Sequence, residues 1–310
     1  MDLSKRLENA FKRFAAYDSE EYLKLNGDHR KFSLLVLHYN YRQSTITLIG
    51  TWHLGQDREV ERHRRITNAI KSRVLKYFGE TPKNRRMLMV EGFTSGRPIC
   101  SDTLEKSFDR GEPQGVTFLA KQRGAKVVSP EPPMSAQIRE LSKRGFGKYQ
   151  IILHYVVRQL PWEIVYKSVN SQEIGYMERL AEGSGGRRHG PRGAEYVLRR
   201  VIPRLNAEMK RIGGKPLFGL AGSLLVPNYS SDELRPLTDP SLQARSRKRE
   251  AITNEIAYNV SDIRNRKIIS EIDKEVRAGK SPLVVYGRSH FARMKPAFDY
   301  MYGKPLKVEV

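Results

Sequence analysis

Cysteine is almost missing from this chain, for Cys100 is the only one. That rules out a disulfide framework and a thiolate metal cage, and a reducing, cytoplasmic setting fits best. Cys100 stands in GRPICSD with no histidine near it in sequence, so nothing marks it as an activated nucleophile. Also missing is any apolar run long enough for a transmembrane helix. The stretch MDLSKRLENAFKRFAAYDSEEYLKL lacks the apolar segment followed by small residues that marks a secretory signal. Leu3, Leu7, Phe11 and Phe14 recur there at helical spacing among Lys5, Arg6, Lys12 and Arg13, which predicts an N-terminal amphipathic helix within 1–26, packed on the domain. Acidic residues are scarce relative to basic ones, 34 against 56, for a net charge of +22. Such an excess predicts attraction to polyanions through counterion release. The basic residues are spread over REVERHRRITNAIKSRVLKYFG, SGGRRHGPRGAEYVLRRVIPRLNAEMKRIGGK and LQARSRKREAI, with neither zinc-finger spacing nor an RNP-type strand. Unspecific contact of this basic surface with nucleic acid is therefore expected ahead of specific recognition.

What is present reads as an α/β protein. A chain of 310 residues can bury a large core, here as a single decorated domain. KFSLLVLHYNYRQSTITLIG gives two β segments, the first alternating and the second apolar, joined by a polar turn around Asn40 to Ser44. Between Arg62 and Phe78, Ile66, Ile70, Val74 and Phe78 recur every four residues, as on a helix packed on a sheet. RRMLMVEGF is a short buried strand ending at Glu91; after the loop TSGRPICSD come a helix around Gly115 to Arg123 and the strand AKVVSPEPP, ending at Glu131. Alternation at this spacing predicts layers of helix on a central, largely parallel or mixed sheet. A helical, basic insertion follows over about 134–245, with Pro161 expected to break or kink one helix and EGSGGRRHGPRG reading as a loop. GGKPLFGLAGSLLVPNYSS resists assignment, and SRKREAITNEIAYNVSDIRNRKIISEIDKEVRAGK reads as one or two helices closed by Gly279 and leading into the strand SPLVVYGRSHF.

LIGTWH, ending at His53, and VVYGRSH, ending at His290, share one design: an apolar strand, a glycine, two residues and a histidine. Gly50 and Gly287 would let the backbone turn sharply, so that each imidazole points back over the sheet edge. The two copies suggest an internal pseudo-repeat. MLMVEGF and KVVSPEP deliver Glu91 and Glu131 from the ends of apolar strands, where a glutamate needs a cation or a donor. In open α/β sheets ligands bind at the carboxyl ends of the strands. Two imidazoles and two carboxylates converging there make His53, Glu91, Glu131 and His290 a candidate nitrogen- and oxygen-ligand site for Mn²⁺, Zn²⁺, Co²⁺ or Fe²⁺. Asp57 either orients the His53 ring or caps the next helix. The other histidines compete poorly, since His63 lies among arginines, His154 on an apolar helix and His189 in the glycine-rich loop.

GTWHLGQD, VEG, GAKVVSPEPPMSAQ, IRNRKIISEI and VVYGRSHF, in this order, resemble the motifs of the TraB/GumN/TIKI group, related more distantly to the erythromycin-esterase (EreA) and ChaN-like proteins. The resemblance covers roughly Ile46 to Glu140 and Asp262 to Phe291. It implies a metal-dependent hydrolase in which His53 and His290 match the two G-x-x-H histidines, Glu91 and Glu131 the strand-end glutamates, and Arg264 with Asn265 an Arg-Asn pair. Arg288 and Ser289 replace the usual small residues of the last motif, and the prolines around Glu131 stiffen its context. On this reading the ion polarises a carbonyl or phosphoryl oxygen, whichever of Glu91 and Glu131 does not ligate is the general base, and Arg264 stabilises the developing oxyanion. Without the resemblance Arg264 reads equally as a surface arginine of a basic helix. Two other classes stay open: a basic binding module for an acidic partner, and a ChaN-like ligand or haem carrier.

Overall fold

The computed structural model describes residues 3–26, 34–51, 60–92, 103–165, 197–221, 224–227, 230–239 and 251–309. The loop EGSGGRRHGPRG, most of LQARSRKREAI, and His53, Asp57, Cys100 and His189 lie outside these residues. The chain divides into two compact units, Met1–Glu131 with Asn265–Val310, and Pro132–Arg264. The sequence suggested one domain with a helical insertion of about 134–245. Among the described residues no helix is long and apolar enough to cross a membrane.

The first unit is a layered α/β structure around a six-stranded mixed sheet of order β4-β3-β7-β2-β1-β8. Its strands are β1 (Leu35–Tyr41), β2 (Ser44–Thr51), β3 (Arg86–Val90), β4 (Lys126–Val128), β7 (Ser281–Gly287) and β8 (Lys307–Glu309). β4, β3, β7 and β2 run parallel, and β1 is antiparallel to both β2 and β8. A tight turn joins β1 to β2 with Tyr41 opposite Ser44, and Arg42 takes a positive φ of 55°. β1 is buried on both faces over its first residues, not on one, because each face of the sheet is covered by apolar side chains. One face carries Val36, Ile49, Leu88, Val90 and Val285 against Ile66, Ile70 and Val74 of α3 (Val60–Glu80) and Val116 of α5 (Glu112–Gln122). This is the four-residue stripe that the sequence predicts for α3. On β1, Tyr39 stacks on Phe298 of the C-terminal helix, at 5.7 Å between ring centroids.

Two short helices, α1 (Leu3–Phe11) and α2 (Glu20–Asn26), take the place of the expected N-terminal helix. α4 (Leu104–Asp109) precedes α5, and β4 stops at Val128, three residues short of the Glu131 at which the sequence ended it. Pro130, Pro132 and Pro133 supply no N–H to a ladder, so the strand cannot continue.

In the second unit, α6 (Met134–Lys143) is followed by α7 (Lys148–Val165), which runs four residues past Pro161, so the helix is not broken where a break or kink was expected. A π-turn (Val197–Val201) leads into α8 (Ile202–Arg211), and the stretch that resisted assignment contains the antiparallel pair β5 (Phe218–Ala221) and β6 (Leu224–Pro227). α9 (Ser231–Leu234) follows. The core of this unit gathers Leu141, Ile152, Leu153, Val156, Leu205, Met209, Ile256 and Val260. Within the long stretch read as one or two helices, Ile252–Arg277 forms a single helix, α10, closed before Gly279, whose φ is +79°. β7 then passes directly into α11 (Arg288–Tyr302).

Candidate active site

β2 and β7 end level with one another, and β3 ends two residues earlier. Thr51 of β2 is the register partner of Gly287 of β7, and Val90 of β3 that of Val285. β7 lies between β2 and β3, so the ends of the three strands share one edge of the sheet. Glu91 is the first residue beyond β3, and its N–H still donates to the Val285 carbonyl at 3.2 Å. That bond keeps the chain in register for one step more. The Glu91 side chain then turns to the end of β7, where Oε2 accepts from the Gly287 N–H at 2.7 Å.

His290 stands in the first turn of α11, and not in a turn after the strand. It is buried, with Tyr286 edge-on to its ring at 6.0 Å between centroids. Nδ1 lies 2.6 Å from Asn265 Oδ1. An amide oxygen only accepts, so Nδ1 carries the proton, and in the neutral ring Nε2 is left as an acceptor. Nε2 lies 3.9 Å from Glu91 Oε1, too far for a hydrogen bond. With a neutral ring, two acceptors face each other across that gap, an arrangement that a cation between them would relieve; a protonated ring would instead pair with the Glu91 carboxylate. Two ligand bonds of about 2.1 Å each span it, so the pair fits a divalent transition metal. An acceptor on the far ring nitrogen is how a ligating histidine is usually oriented, and here an Asn carbonyl fills that place.

The two glycines do different work from that expected. Gly287 has φ −53° and ψ 131°, an ordinary extended conformation, and contributes its N–H to Glu91. Gly50 is not at a turn but inside β2, where an added Cβ would come within 3.0 Å of the Arg288 Cα and 3.2 Å of the Leu35 Cβ. It is small because the start of α11 passes directly over it. The repeated spelling G-x-x-H is therefore not a repeated backbone design: one glycine lies within its strand, the other ends its strand, and no pseudo-repeat is confirmed.

Glu131 Oε2 accepts from the N–H of Gly92, the residue after Glu91, at 3.3 Å. It lines a cavity of about 330 Å³ beside β4, together with Met89, Lys126, Lys267 and Glu271. Arg264 is buried on α10 in the other unit. Among the described residues no group of three or more His, Cys, Asp or Glu side chains is placed to hold a metal ion. What the geometry brings together is His290 with Glu91, and Glu131 with the peptide beside Glu91.

Glu112 is a further carboxylate at this end of the sheet, brought there by a helix start, that sequence reasoning missed. It is the first residue of α5, 3% exposed, and its Oε1 accepts from the Thr51 hydroxyl at 2.8 Å. In RGEPQG a glutamate before a proline reads as a solvated helix start, so only the fold reveals its burial. Asn265 was legible only as half of an Arg-Asn pair. Its Nδ2 is buried and meets no acceptor among the described residues.

No family model matches the chain, and neither a curated protein nor a solved structure shows significant similarity to it.

Proposed function

We propose that the chain is a metal-dependent hydrolase of peptide, ester or related bonds, with its centre at the carboxyl ends of β2, β7 and β3. The observation that carries this reading is the 3.9 Å gap between His290 Nε2 and Glu91 Oε1, with Asn265 on the opposite ring nitrogen. His290 and Glu91 would hold the ion, and the resemblance to the TraB/GumN/TIKI group adds His53, two residues after Thr51, as a further ligand. A divalent ion bound there supplies Lewis acidity toward a substrate oxygen and makes a bound water more acidic. The chain's own residues do the rest. Asn265 fixes the tautomer and aim of the imidazole. The Gly287 N–H holds one oxygen of Glu91, so that the other keeps its direction. Glu131, which lines the cavity beside β4, would take a proton from water, while Glu91 would be engaged by the ion and by the Gly287 N–H.

Glu91→Gln tests this reading against an ordinary ion pair of Glu91 with protonated His290. Gln keeps an acceptor for Gly287 and removes the charge. Metal-stripped wild-type protein is expected to bind Mn²⁺, Co²⁺ or Zn²⁺, and Glu91→Gln to bind them at least about tenfold more weakly, with its melting temperature nearly unchanged. A wild type that takes up none of these ions, or a destabilised Glu91→Gln protein with wild-type metal binding and turnover, sinks the proposal.

A further inference from the structure

The turn between α4 and α5 is built around two glycines, and its result is a buried carboxylate. Gly111, the N-cap of α5, has φ +109°, a conformation that side chains other than hydrogen rarely adopt. At Gly115 any Cβ would run into the ring of Phe108, so α4 lies directly against the first turn of α5. Pro113 follows in that turn, where its missing N–H costs nothing. Together these fix the direction in which Glu112 leaves the helix. It leads to the Thr51 hydroxyl, itself buried, at 2.8 Å.

Thr51 is the last residue of β2 and the register partner of Gly287. Its hydroxyl oxygen also lies 3.4 Å from the Tyr286 carbonyl, on the peptide unit whose N–H, that of Gly287, donates to Glu91 Oε2 at 2.7 Å. The hydroxyl has one proton. Glu112, much the closer acceptor, takes it, so the end of β2 is anchored to Glu112 while Thr51 meets β7 through its ladder pairing with Gly287. Strand ends fray unless something beyond the ladder ties them. Here the tie is a hydrogen bond to a carboxylate at a helix N-terminus, among the stronger kinds available.

We propose that Glu112 is a positioning residue of the site: by anchoring the Thr51 hydroxyl it fixes the end of β2 against its ladder partner Gly287, whose N–H sets the aim of Glu91 toward His290. The proposal rests on the metal-site reading for its purpose, but not for its geometry. Glu112 touches neither His290 nor Glu91 in any hydrogen bond described above; the connection runs through one hydroxyl and one ladder pair.

The Gly287 amide reports on this connection directly. In ¹⁵N-labelled full-length protein its resonance, displaced by the short bond to Glu91, should move in Thr51→Val, a near-isosteric change suited to a strand, and in the same direction in Glu112→Gln. Thr51→Ser, which keeps the hydroxyl, should restore the wild-type position. The double variant Thr51→Val with Glu112→Gln should move the resonance no further than Thr51→Val alone, since both act through one hydroxyl. Mn²⁺ affinity should fall by about tenfold in Thr51→Val and recover in Thr51→Ser. A Gly287 resonance unmoved in folded Thr51→Val, or equal displacement in Thr51→Ser, overturns the proposal and leaves Glu112 a packing residue. If the wild type binds no Mn²⁺ while the Gly287 response is present, the positioning role stands and the metal reading falls.

Discussion

His154 shows how much a single side chain can depend on its surroundings. It is 1% exposed in the core of the second unit, with Nδ1 donating to the Thr253 carbonyl at 3.2 Å. Burial, with a smaller contribution from the Arg158 charge, holds its pKa down at about 3. The unfolded chain titrates it near the ordinary value of 6.5. A depressed pKa means that the unfolded state binds the proton first. The contribution of neutral His154 is therefore fully present above about pH 6.5, and is lost at about 1.4 kcal/mol per pH unit as the pH falls toward 3. Between pH 7 and pH 5 this one group should remove about 2 kcal/mol. Urea unfolding of wild type and His154→Phe at both pH values checks it. The variant is expected to be less stable at pH 7, because Thr253 loses its donor, but to lose about 2 kcal/mol less than wild type on acidification. Equal losses in the two proteins would show that His154 titrates normally. The sequence reading of this histidine, core rather than site, came from the apolar residues around it, the same signal that singled out Glu91 and His290 at the ends of apolar strands. Glu112 and Asn265 gave no such signal, since their partners Thr51 and His290 are remote in sequence and neither sits beside an apolar run.

At the scale of elements, periodicity found α3, β2, β3, β7 and α10, because each turns a stripe or a full face toward a core. It failed where an element's limits are set by something other than apolar spacing. β4 ends early for want of peptide donors, and the turn expected at Gly50 is a crossing. α10 also carries Asp273, 1% exposed, which pairs with Arg6 at 3.3 Å and Arg277 at 2.7 Å and accepts from the Tyr302 hydroxyl at 3.1 Å. No helical pattern announces a buried acid whose partners come from three helices. The crossing at Gly50 has a consequence for the site. Gly50→Ala would ordinarily favour a strand by restricting the unfolded chain. Here the added methyl has to displace Arg288, two residues before His290, or Leu35. The net effect should be a loss of about 1–3 kcal/mol. Mn²⁺ affinity should fall with it, since the start of α11 carries His290. Chemical denaturation and metal titration of the one variant check both parts. A Gly50→Ala protein as stable as wild type would mean that α11 adjusts freely, and that its docking does not set the position of His290.

For the whole molecule the controlling quantity is charge. An excess of 22 positive charges cannot be absorbed by internal pairing, however many lysines and arginines find acids. Several do so only at the surface, as Lys143 with Glu140 and Arg211 with Glu208. Exposed pairs of this kind contribute little to stability and are screened by salt. The remaining field attracts polyanions whatever the chain's purpose. Attraction alone therefore does not separate a hydrolase with a basic surface from a binding module, but its salt dependence does. If the surface acts only as a field, heparin and duplex DNA of unrelated sequences should bind equally at low ionic strength. Affinity should then fall steeply, by about a thousandfold between about 50 and 200 mM salt if about six phosphates are neutralised. A site built for one nucleic acid would keep a preference among sequences or structures after this loss, because contacts to bases and shape survive when counterion release has been spent. The metal binding proposed at His290 and Glu91 would belong to neither pattern, since largely buried groups are screened far less than exposed ones. Equal, salt-labile binding to unrelated polyanions, together with Mn²⁺ affinity that changes little over the same salt range, is the result expected on the proposed hydrolase reading. Selective retention of one nucleic acid at high salt by a protein that binds no metal would transfer the function from the strand ends to the basic surface.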